Sequence, residues 1–100
     1  MRTVHDPHYI RLVGRLRARR KALGQDQATV AARLGYTDRW LSKVENLDVR
    51  LDILTFMRLC GALNLRAHRL VRKVEEELED AGSSSYLLGW SWWAWVPPTG

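Results

Sequence analysis

The sequence predicts an all-α protein: five short helices, followed by a Trp-rich tail of strand-favouring composition. Three observations carry this expectation. Apolar residues recur at helical spacing in successive windows up to about residue 80. Capping side chains and stop glycines punctuate those windows at Gly24, Asp26, Gly35, Thr37 and Asp52. No alternating strand pattern occurs before Ser83. A chain of 100 residues holds one small domain and a tail, which excludes a multi-domain enzyme, a barrel or a nucleotide-binding α/β domain.

The first helix is expected between residues 8 and 23. Tyr9, Val13, Leu16 and Leu23 form its stripe, Arg20 falls on the same stripe, and basic residues occupy much of the remaining surface. Gly24 ends it. Asp26 caps a second helix over residues 27–34, with Val30, Ala31 and Leu34 inward, and Gly35 stops it. Thr37 caps a third over residues 38–46, with Leu41 and Val44 facing in. Two short helices separated by Gly35, Tyr36 and Thr37 make a helix-turn-helix candidate. Asp52 caps a fourth, with Leu54, Phe56, Leu59, Cys60 and Leu63 apolar; a fifth covers residues 66–80 with Leu70, Val71, Val74 and Leu78 on one stripe.

Composition changes abruptly at Gly82, Ser83, Ser84 and Ser85, a linker signal. The chain therefore divides into an N-terminal arm (1–7), a helical domain (8–81) and a linker with tail (82–100). Four of the five tryptophans lie in the tail. In an extended tail Tyr86, Leu88, Trp90, Trp92, Ala94 and Val96 line one face, and Trp93 and Trp95 the other. So much exposed tryptophan on a monomer is unfavourable. The tail pairs with its symmetry mate, folds back on its own helices, or docks another protein; a membrane-interface anchor is a fourth option that lacks flanking basic residues. The expectation adopted is an intermolecular contact with the same segment of a second chain.

The chain carries 16 Lys+Arg against 11 Asp+Glu, a net charge of +5, and 13 of the basic residues are Arg. Residues 1–50 hold 11 basic and 5 acidic side chains, residues 81–100 none. A basic first half suggests an anionic partner, and Arg suits phosphate and guanine; a solvated basic surface gives the same composition. One cysteine, Cys60, excludes an internal disulfide and a cysteine zinc site. With no apolar leader-like stretch near the N-terminus, a cytoplasmic location is expected. His5, Asp6 and His8 have no metal-specific spacing, and the acidic run at Glu75, Glu76 and Glu77 reads as a solvated helix surface. No phosphate loop, nucleophile–base pair or paired carboxylates mark an enzyme, so no catalytic residue, metal or cofactor is expected.

One segment is more specific. Leu16 through Arg20, then Gln25, Asp26 and Gln27, Val30 and Ala31, the turn Leu34, Gly35, Tyr36 and Thr37, Leu41 through Asn46, and Leu59 through Leu65 form a linked pattern. In it, residues 16–65 resemble the helix-turn-helix family of phage repressors, Cro proteins and xenobiotic-response-type (XRE) regulators. The resemblance implies a lambda-repressor-like domain with helix three in the major groove. It implies base contacts from Asp38, Arg39, Trp40 and Lys43, with Arg39 the choice for guanine. Asp38 serves either cytosine N4 or the helix dipole, and Trp40 either a thymine methyl or the core edge. It implies phosphate contacts from Gln27, Thr37, Asn46 and Arg50, with the Arg-rich first helix adding to them. It also implies a partly buried ion pair between Arg20 and Glu45. Two positions depart from the family pattern. Leu47 stands where Gly is usual, so the following loop is expected to be remodelled. Cys60 replaces a usual Ala as a buried, inert thiol.

The expected function is sequence-specific recognition of double-stranded DNA by a transcriptional regulator, a repressor binding a palindromic operator as a homodimer. An antitoxin that autoregulates its operon and engages a toxin through the tail is the alternative. A protein-interaction module that has lost DNA affinity is the reading of another class. A salt-dependent gel shift separates that class from the first two, and co-purification of an unrelated protein separates antitoxin from repressor.

Overall fold

The computed structural model describes residues 6–80, and within them the chain forms five helices and no strand. These are α1 (Pro7–Ala22), α2 (Gln27–Arg33), α3 (Asp38–Glu45), α4 (Ile53–Ala62) and α5 (Ala67–Leu78). The expected tail contacts (Tyr86, Leu88, Trp90, Trp92, Trp93 and Trp95) lie outside the described residues, as does His5.

The helix starts follow the sequence closely. Asp26, Thr37 and Asp52 each accept a hydrogen bond from the backbone N–H three residues on, at Thr29, Trp40 and Thr55. Asp6 caps α1 through the N–H groups of His8 and Tyr9, with Pro7 at the first helical position. The helix thus begins one residue inside the expected arm, because an aspartate before a proline is itself a start signal.

The first four helices end in one device. After each C-cap the next residue takes positive φ: Gly24 (+69°), Gly35 (+79°), Leu47 (+67°) and Asn64 (+61°). Its N–H and the following N–H fold back onto the last turn. After α3, Leu47 N–H donates to Val44 O (3.0 Å) and Asp48 N–H to Lys43 O (2.8 Å). After α4, Asn64 and Leu65 repeat the pattern on Gly61 and Cys60. The expected remodelling at Leu47 is therefore corrected: leucine occupies the left-handed position and the cap is kept. Two backbone hydrogen bonds to otherwise unpaired helix carbonyls offset a conformational cost of about 1–2 kcal/mol. Leu47 is not among the hydrophobics packed on the core. Leu47→Gly is accordingly expected to raise stability by up to about 1 kcal/mol, read as a higher denaturant midpoint with unchanged slope. A lower midpoint would show that the leucine side chain contributes more than its backbone costs.

The core gathers one stripe from each helix: Leu16, Val30 and Ala31, Leu41 and Val44, Phe56, Leu59, Cys60 and Leu63, and Leu70. Desolvation pushes the buried Cys60 thiol up to about 11, so it packs as a small apolar group. Of the apolar residues expected on α4 and on the α5 stripe, Leu54 and Val71 are exposed, and Ile53, Met57 and Ile10 join them on the surface. α4 is apolar around much of its circumference, and only its Phe56, Leu59 and Cys60 side meets the other helices.

Arginine holds the periphery. Arg11 and Arg15 of α1 pair with Glu77 of α5. Arg19 donates to the carbonyls of Leu63 (2.9 Å) and Asn64 (3.2 Å), and Arg33 to that of Ala62 (2.9 Å), closing the C-terminal end of α4. The basic surface of α1 is therefore largely engaged within the fold, and Glu77 is an ion-pair partner rather than a solvated member of an acidic run.

Candidate nucleic-acid interface

α2 packs against α3, and the turn between them places the two helices as the helix-turn-helix pattern requires. α3 buries Leu41 and Val44. Its opposite side carries Arg39, Lys43 and, just past the helix end, Asn46, all exposed. These positions are spaced i, i+4 and i+7, so they fall on one stripe about 10 Å long, the span of about three base pairs. The side chains of Arg39 and Lys43 make no hydrogen bond or ion pair among the described residues. They differ in this from the arginines of α1. Asp38, at the start of α3, is exposed and sits where the helix dipole favours an anion.

The other expected residues divide. Thr37 accepts from the Trp40 N–H (3.3 Å), so its hydroxyl caps α3. Trp40 is half-buried against the core and stacks on Tyr36, ring centroids 4.2 Å apart and 18° between planes. Of its two expected roles the structure displays the covering of the core edge. Asn46 donates to Ser42 Oγ (3.4 Å). Arg50 lies over the Tyr9 ring, 5.8 Å from its centroid, while the Tyr9 hydroxyl accepts from the Leu51 N–H (3.1 Å). The loop after α3 is thereby tied to α1.

Gln27 stands at the first position of α2, but its side chain faces inward and donates to Glu45 Oε1 (2.9 Å). The carboxylate it meets is the hub beneath the motif. Arg20 clamps Glu45 through two bonds, Nε to Oε2 (2.7 Å) and Nη2 to Oε1 (2.9 Å), and also donates to the Gln25 carbonyl (2.9 Å). Arg17 adds a cation at 3.6 Å. The Arg20 and Glu45 side chains are 10% and 6% exposed, so the expected ion pair is present and shielded from water. Sequence reading missed Gln27 and Arg17 here. The partners lie far apart in the chain, and no local spacing announces them.

Burial alone would push the Glu45 carboxyl up; the hydrogen bonds from Arg20 and Gln27 and the nearby Arg17 charge hold it below its ordinary value of 4.5. The Arg15 hydrogen bond does the same for Glu77, and the capping bonds do so for Asp26 and Asp52. A depressed carboxyl binds fewer protons folded than unfolded, so stability is fully present above the ordinary carboxyl range and falls as pH drops through the folded-state values. Acid titration of the melting temperature is expected to show a steep loss below about pH 4.5. Glu45→Gln should flatten that slope, and an equally steep slope in the variant would place the titration elsewhere.

A solved XRE-family like protein from Pseudomonas syringae pv. tomato str. DC3000 superimposes with a TM-score of 0.69 at 36% sequence identity, covering 75% of this chain and 92% of that one. The chain belongs to the XRE family. No family model and no curated protein matches the sequence. On α3, Leu41, Val44 and Glu45 build the scaffold, and Arg39 and Lys43 stand exposed. Membership of the XRE family makes DNA the partner class and transcription regulation the general role. No helix among the described residues is long and apolar enough to cross a membrane.

Proposed function

We propose that this XRE-family protein is a repressor that binds a palindromic operator as a homodimer, acting by occupying DNA and not by catalysis. The observation that carries the reading is the exposed stripe of Arg39, Lys43 and Asn46 on a helix whose opposite face is locked into the core. A planar guanidinium near the start of such a helix suits the O6 and N7 acceptors of guanine in the major groove, and Lys43 one turn on suits a second guanine or a phosphate. Asn46 and Arg50 follow at the helix exit, where backbone contacts fix the register.

A single α3 spans about three base pairs, too little for useful specificity, so the reading requires two copies on one face of the duplex. Selection of bound duplexes from a random pool tests both parts. The expected product is an inverted repeat with half-site centres about 10 base pairs, one helical turn, apart. Its complex should weaken steeply as salt rises. Enrichment of a lone half-site would defeat the dimer, and no enrichment with no salt-dependent shift would defeat DNA recognition altogether.

A further inference from the structure

On the side of the domain formed by the first half of α1, the start of α4 and α5, an apolar groove of about 300 Å³ lies open. Tyr9, Leu12, Leu51, Ile53, Phe56, Val71 and Val74 supply its apolar walls, with Asp52 at the edge. Ile53 is 65% exposed, and Met57, one turn further along α4, is 50% exposed. A volume of this size accepts a large aromatic group, and an apolar surface of this kind is costly to leave in water.

We propose that the groove is the seat of the chain's own tail, with tryptophans from residues 86–96 filling it. Three facts select this occupant. The tail is uncharged and carries Trp90, Trp92, Trp93 and Trp95, which matches walls of apolar and aromatic side chains. The chain leaves the described domain next to the groove: Val74 is a wall residue, and Asp80 follows six residues later, about 9 Å along a helix. Residues 81–85 then reach up to about 17 Å when extended, enough to turn back from the end of α5. A tether this short gives the attached segment an effective concentration of order millimolar, which favours the groove of the same molecule over that of another. Of the options that tail composition leaves open, this is the fold-back, and it stands whether or not the DNA reading does.

The test uses the full chain carrying Trp40→Phe, so that all remaining tryptophans belong to the tail. Its emission should be blue-shifted from that of free tryptophan and poorly quenched by acrylamide, both independent of protein concentration. Ile53→Glu and, separately, Val71→Glu place a charge on an exposed wall without entering the core. Either should shift the emission to the red and raise quenching while far-ultraviolet circular dichroism keeps its helical signal. Solvent-exposed emission in the parent, or buried emission untouched by both substitutions, overturns the proposal. A blue shift that grows with concentration alongside dimer formation in sedimentation also overturns it, and assigns the tail to a second copy.

Discussion

Glu45→Ala is expected to lower the stability of the domain by about 3 kcal/mol, because it leaves the Arg20 guanidinium buried without its counter-charge. The arrangement makes this severe. Glu45 is the last residue of α3, where the helix dipole disfavours a carboxylate, so the site depends on the cations around it. Removing the carboxylate orphans two Arg20 donors and the Gln27 amide at once. In a domain of this size the loss corresponds to a fall in melting temperature of about 12 °C or more. The double variant Arg20→Met with Glu45→Leu should recover much of it, since an apolar pair of similar volume needs no counter-charge. An unchanged melting temperature in Glu45→Ala would mean that the clamp contributes nothing. A double variant no better than the single would show that the hydrogen bonds to Gln25 and Gln27, and not charge pairing, hold α1, α2 and α3 together.

Arg39→Ala is expected to lose discrimination at one base pair of each half-site, about 1–3 kcal/mol, while affinity for random duplex falls much less. The exposed guanidinium, without a partner among the described residues, is the reason: its loss costs the described fold no contact and removes a planar, two-pronged donor. Arg39→Lys should recover affinity through charge but little of the discrimination, because an ammonium lacks the fork. Competition with operators altered at single positions is the measurement. Equal loss on specific and random DNA would make Arg39 a phosphate contact and move base reading to Lys43.

Local signals in the chain were enough to lay out the helices. Asp26, Thr37 and Asp52 act on their own next turn, and Gly24 and Gly35 on their own last turn, so each start and stop is decided within a few residues. The ion pair between Arg20 and Glu45 was legible through resemblance to the family, since its partners are 25 residues apart. Tertiary structure decided the rest. Leu47 breaks the residue preference and still takes the left-handed position through the same two local backbone bonds that close the other helices, while the loop after it is pinned to α1 by the Leu51 N–H bond to the Tyr9 hydroxyl. Gln27 looked like a phosphate ligand and faces Glu45, because packing α2 against α3 brings a buried carboxylate within reach of its amide. The arginines of α1 looked like one basic surface and are divided among Glu77, Glu45 and the end of α4, while Arg39 and Lys43 on α3 have no partner among the described residues. Sequence determines which residues are charged and which turns close, since those depend on neighbours along the chain. Which charges remain available to a ligand depends on partners brought near by the fold, and only the folded arrangement decides that.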